Sequence, residues 1–144
     1  MQGIEDLDSL LKRFTPQDVI AVILASSNLD IFPSERKLLH EFIRQEKKGK
    51  GAELLQPFVF SEGVDLYPFS RLLESVLMQL QLGGWLSAKN PEYDRFGVTD
   101  EIRADILEKA RERFSQEQLE ILKNIGESFR ALIDKNTKIN AHGF

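Results

Sequence analysis

The sequence predicts a mainly α-helical fold: a single domain over 1–134 with one small β-hairpin and a C-terminal helical hairpin, then a frayed tail at 135–144. Three observations carry that prediction. Phe69, Leu72, Leu73, Val76, Leu77 and Leu80 recur at steps of three and four, which puts them on one face of a helix. Gly83-Gly84 stops that helix, and two short β-like runs follow, Trp85-Leu86-Ser87 and Arg95-Phe96-Gly97-Val98, around an Asn90-Pro91 turn. Helix-start signals at Thr15-Pro16-Gln17-Asp18, Thr99-Asp100 and Ser115-Gln116-Glu117-Gln118 divide the remainder into further helices.

The first helix spans Ile4 to Phe14, with Ile4, Leu7, Leu11 and Phe14 at helical spacing. At the next start Thr15 caps, Pro16 takes the first helical position where its missing N–H costs nothing, and Asp18 completes a capping box. The run Val19–Ala25 is apolar on every side; periodicity alone also allows a buried strand, and the cap in front selects a central helix. Ser26-Ser27-Asn28-Leu29-Asp30 breaks it, and Pro33-Ser34 opens a helix whose Leu38, Leu39, Phe42 and Ile43 form an apolar stripe. That helix ends in Arg44, Lys47, Lys48 and Lys50 around a Gly49/Gly51 exit, positive charge at the negative end of its dipole. Residues 52–67 read as a loop or short strand at Phe58-Val59-Phe60. After the hairpin, Ile102, Ile106, Ala110 and Phe114 repeat every fourth residue, and Leu122, Ile125, Phe129 and Leu132 alternate three and four like a short heptad seam.

With 144 residues the chain has the size of one domain. Hydrophobic residues at 42% and charged residues at 29% fit a soluble globular protein, and no apolar run approaches the roughly 20 residues needed to span a bilayer. The acidic start Met1-Gln2-Gly3-Ile4-Glu5-Asp6 lacks a signal-peptide pattern and there is no cysteine, so the cytoplasm is the expected compartment and no membrane partner is expected. Without cysteine there is no thiol nucleophile and no thiolate metal site; His40 and His142 lie far apart, and no metal or cofactor is expected. Asp94, Asp100, Glu101 and Asp105 cluster in sequence only, with Asp100 and Glu101 at a helix start and Asp105 paired to Lys109 at i,i+4. Gly49-Lys50-Gly51 matches neither phosphate-loop fingerprint. The chain is therefore expected not to be an enzyme.

Net charge is −4, unevenly spread: residues 35–50 carry 6 basic and 3 acidic groups, whereas 51–99 carry 3 and 6. A duplex binder concentrates positive charge, so this balance disfavours nucleic acid.

A helix followed by a hairpin is the layout of the last helix and wing of a winged-helix domain. On the 68–82 helix, Arg71, Ser75, Met78 and Leu82 lie opposite the apolar stripe. DNA readers at such positions are polar or basic, and half of this row is apolar, which favours a protein contact or coverage within the same chain. The wing at 87–97 sets Lys89 and Arg95 against Glu92 and Asp94, leaving no positive excess. The candidate partner-binding residues are thus Arg71, Ser75, Met78 and Leu82. The candidate self-association residues, for a dimer or an internal hairpin, are Leu122, Ile125, Phe129 and Leu132. An alternative DNA-binding set is Arg44, Lys47, Lys48, Lys50, Arg71, Gln79 and Lys89. Trp85 reads as a core plug and His40 as a satisfied histidine beside the stripe.

Residues 19–103 resemble, in pattern, the winged-helix domains of Panacea-type antitoxins and related small bacterial regulators. The shared features are an apolar first helix, a Leu-rich helix at Arg36-Lys37-Leu38-Leu39, an aromatic segment, the opening Tyr67-Pro68-Phe69-Ser70, a Leu-rich helix ending in a Gly-apolar step, and the closure Tyr93-Asp94-Arg95-Phe96-Gly97-Val98-Thr99. The resemblance implies a non-enzymatic protein that acts by binding a partner, either another protein or a second copy, with DNA-binding transcriptional regulation as the alternative.

Overall fold

A computed structural model describes residues 14–61, 66–88 and 95–142, with side chains through 136. Its elements run α1 (Pro16–Ser26), β1 (Ile31–Pro33), α2 (Arg36–Lys47), α3 (Arg71–Leu82), β2 (Ser87–Ala88), β3 (Arg95–Gly97), α4 (Asp100–Arg113) and α5 (Gln116–His142). The chain is mainly helical with a small antiparallel sheet. The expected helix at Ile4 to Phe14 lies, but for Phe14, outside the described residues, as do 62–65 and the wing tip 89–94.

Helix α1 is the centre of the molecule. Its start is the capping box expected of Thr15 and Asp18: Thr15 Oγ1 accepts from the Asp18 N–H at 3.2 Å, and Asp18 accepts from the Thr15 N–H at 2.8 Å. Seven consecutive residues, Val19 to Ala25, are buried, because α3, α4 and α5 all pack against this one helix. An all-round apolar helix is what such a position requires. The closest approach is to α5 at Gly126, where a Cβ would stand 2.7 Å from the Ile23 carbonyl oxygen. The helix ends at buried Ser27, whose hydroxyl donates to the Leu24 carbonyl at 2.6 Å, and Asn28 then turns the chain at φ 58, a left-handed position that asparagine tolerates.

That turn feeds β1, which the sequence reading did not anticipate. Its three residues pair antiparallel with β3 (Ile31 with Gly97, Phe32 with Phe96, Pro33 with Arg95), and β2 pairs on the other side of β3. Pro33 is tolerated because β1 is an edge strand. Phe32 points into the core, edge-on to Phe96 and to Phe129 of α5. Arg103 of α4 fastens the same corner, donating to Leu29 O at 3.1 Å and to Asp30 and Asp100 at 2.7 Å each. These acidic partners hold its pKa above the ordinary arginine value although burial opposes the charge.

At the C-terminal end, Thr99 caps α4 and a Ser115–Gln118 capping box opens α5. The two helices touch each other little, and each rests mainly on α1. Helix α5 runs through His142, across most of the 135–144 segment expected to be a tail. The segment 58–60 forms no strand; Phe58 is instead a fully buried plug at the end of the turn-rich stretch 48–57. Trp85 is half-buried and packs against the edge of the core.

Candidate interaction face on the third helix

Helix α3 begins where Ser70, in extended conformation, accepts the Leu73 N–H on its hydroxyl at 3.1 Å. It ends at Gly83, followed by Gly84 at φ +81, a conformation that glycine adopts without strain. Between these caps the sequence divides the helix into two faces. Leu73, Val76, Leu77 and Leu80 are buried at 1–2% exposure against the core. Arg71, Ser75, Met78, Gln79 and Leu82 are exposed on the opposite side.

The structure thus brings Arg71, Ser75, Met78 and Leu82 together as one outward row, and nothing in the described part of the chain covers it. Met78 is 53% exposed and Leu82 85% exposed. Met78 and Leu82 are four positions apart, so the two apolar side chains neighbour each other on that face. Ahead of the helix, Pro57, Val59, Phe60, Phe69, Arg71 and Leu72 line an open cleft of about 430 Å³, and Val59 is 73% exposed on its rim. Ser61 and Ser70 complete the lining, and Arg71 and Ser75 separate this cleft from Met78 and Leu82 along the row.

A polar cluster sets the position of the helix. Glu74, on its flank, accepts from Arg36 Nε at 2.9 Å and from His40 Nε2 at 3.2 Å, both on α2. His40 Nδ1 accepts the Ser70 N–H at 3.0 Å, which fixes the ring proton on Nε2. Arg36 also lies over the Phe96 ring, 5.1 Å from its centroid, tying the cluster to the sheet. Burial pushes the His40 pKa below its ordinary value, against the opposing pull of the Glu74 carboxylate. For Glu74, burial would raise the pKa, but the bonds and charges of Arg36 and His40 outweigh it and hold the carboxyl below its ordinary value. Glu74 is therefore an internal tie rather than a surface charge.

The candidate self-association residues pack within the chain. Leu122, Ile125 and Phe129 are buried at 2% or less inside the single chain, with Phe129 against Phe32 and Phe42, and Leu132 is half-buried. A heptad-like seam reports that a helix packs on something; within this chain the element against it is α1. Of the alternative DNA-binding set, Arg71 and Gln79 are exposed on α3. Lys48 and Lys50 are exposed beyond the end of α2, Arg44 is half-buried, and Lys47 Nζ donates to the Phe58 carbonyl at 2.6 Å, which makes it a structural strut. Lys89 lies outside the described residues.

Sequence reasoning did not assign the Arg36–Glu74–His40–Ser70 cluster, whose members are 30 or more positions apart across α2 and α3. No group of three or more His, Asp or Glu side chains able to hold a metal ion is found among the described residues, and none of the described helices is long and apolar enough to cross a membrane. No family model, curated protein or solved structure matches the chain.

Proposed function

We propose that this protein is a non-enzymatic, winged-helix-like regulatory module that acts by protein–protein contact through the outer face of α3. The observation that carries the reading is the exposure of Met78 and Leu82 on one row with Arg71 and Ser75. The element order α1-β1-α2-α3-β2-β3, with strands arranged β1-β3-β2, supports the fold reading, in which α3 would serve as the recognition helix and the β2–β3 hairpin as the wing. The resemblance to Panacea-type antitoxin domains points the same way, toward a cytoplasmic binding protein. Flexible thioether and aliphatic side chains bind by burial, which suits a protein partner with an apolar groove better than a base edge.

The competing reading is a DNA-binding regulator that uses 68–82 and the 87–97 wing, and it has exposed Arg71 and Gln79 in its favour. Against it stand a net charge of −4 and the commitment of Lys47 to the Phe58 carbonyl. Capture from a cell extract by wild type and by a Met78→Glu/Leu82→Glu double variant tests the protein reading: a discrete partner retained by the wild type and lost by the variant supports it. Partner recovery that is the same for both would remove α3 from the account. Salt-sensitive binding to duplex DNA that Arg71→Glu abolishes would favour the competing reading.

A further inference from the structure

We propose that His40 is a pH-operated clasp, which holds the first turn of α3 on α2 while its ring is neutral and releases that turn when the ring takes a second proton. The ring is fully buried and has both nitrogens engaged: Nε2 donates to Glu74 at 3.2 Å and Nδ1 accepts from the Ser70 N–H at 3.0 Å. A second proton has only Nδ1 to occupy. It then faces the Ser70 N–H donor to donor, and the hydrogen bond that anchors Ser70 is lost. The Glu74 side responds in the opposite sense, since an imidazolium strengthens its bond to a carboxylate. Release is therefore confined to the Ser70 end of the clasp, with Glu74 still holding the ring.

The surroundings suit a switch. Phe69 stacks on the imidazole with ring centroids 4.8 Å apart, and Phe60 and Tyr67 close two further sides. The titratable or charged groups facing the ring, among the described residues, are Glu74 from α3, Tyr67 from the segment before it, and Arg36 from its own helix, whose charge opposes protonation. Desolvation sets the transition below the ordinary histidine value of 6.5. Because Ser70 is also the N-cap that accepts the Leu73 N–H, its release frays the turn that carries Arg71. The clasp does not depend on what α3 binds.

Amide hydrogen exchange by NMR, with protection factors corrected for intrinsic pH dependence, tests this on the full chain from about pH 7.5 to about pH 5. The expected result is that protection of the Ser70 amide falls about tenfold or more in step with the His40 ring titration, while the core amide of Leu77 keeps its protection. In His40→Asn, whose side-chain oxygen replaces the Nδ1 acceptor without titrating, Ser70 protection is expected to stay level over the same range. Three results would overturn the clasp: Ser70 protection unchanged through the wild-type His40 titration, Ser70 and Leu77 lost together, or the same acid-dependent loss in a folded His40→Asn. The first two are read on the wild type alone, so the test survives if the variant does not fold.

Discussion

Gly126→Ala tests the packing that gives α1 its central place. A Cβ on Gly126 would lie 2.7 Å from the Ile23 carbonyl oxygen, 2.8 Å from Ser26 Cβ and 2.9 Å from the Ser27 nitrogen, where ordinary contact begins at 3.4 Å. The methyl group therefore overlaps its neighbours by 0.7, 0.6 and 0.5 Å, and two of the three are backbone atoms that no rotamer change can move. To make room, α5 must back away from α1, loosening Leu122, Ile125 and Phe129 behind it. Overpacking of this kind costs about 1–3 kcal/mol. Alanine returns about 1 kcal/mol of helix propensity relative to glycine. With backbone on the opposing side the steric cost lies in the upper part of its range, and the net loss is about 1–2 kcal/mol, several degrees of melting temperature in a chain of this size. Urea unfolding followed by circular dichroism gives the value, with Asn124→Ala as an exposed control on the same helix that changes stability by about 0.5 kcal/mol or less. A Gly126→Ala protein as stable as wild type, or more so, would refute the close approach of α1 and α5.

Phe129→Asp puts a carboxylate between Phe32 and Phe42 in the core; loss of the ring alone costs about 3–5 kcal/mol, so circular dichroism should show a largely unfolded chain, and a folded monomer with an unchanged midpoint would contradict its buried placement. Arg103→Ala removes the bonds to Leu29, Asp30 and Asp100 and is expected to cost about 1–3 kcal/mol in urea unfolding, against no change if the corner is not fastened there. Stability should fall on acidification: with the folded His40 pKa below 6.5, the unfolded chain takes up that proton first, so stability is complete above 6.5 and is lost as pH drops through the folded value. Glu74 adds a second loss below 4.5, because its folded carboxylate stays ionised after the unfolded one protonates. Urea midpoints at about pH 7.5 and about pH 5.5 check the first step, which His40→Asn should flatten; a midpoint that rises on acidification over this range would contradict the His40 shift.

Local chemistry made most of the helices legible in the sequence. The Thr15–Asp18 and Ser115–Gln118 boxes, the Thr99 cap and the Gly83 stop are contacts within three or four residues, and each appears in the structure where the residue types require it. The two-faced reading of α3 survived for the same reason, since helical spacing alone separates Leu73 and Leu77 from Met78 and Leu82. What sequence could not supply is the identity of the partner across a face. The stripe on α5 reads equally as a dimer seam or an internal one, and only the fold puts α1 against it. Strand β1 has three residues ending in proline and no periodicity; it exists because β3 arrives beside it from more than 60 positions away. His40 looked like an unremarkable neighbour of an apolar stripe, and its role depends on Glu74 and Ser70, which the chain brings up from the next helix.

The central claim is that the outer row of α3 is where this protein is bound. Site-specific photo-crosslinking in cells tests it most directly, with the photoreactive residue at position 82 and, as an exposed control, at position 123 on α5. A discrete adduct with a second protein from position 82, absent from position 123 and abolished by Met78→Glu, is the predicted result. Adducts formed equally from both positions, or from 123 alone, would contradict the claim.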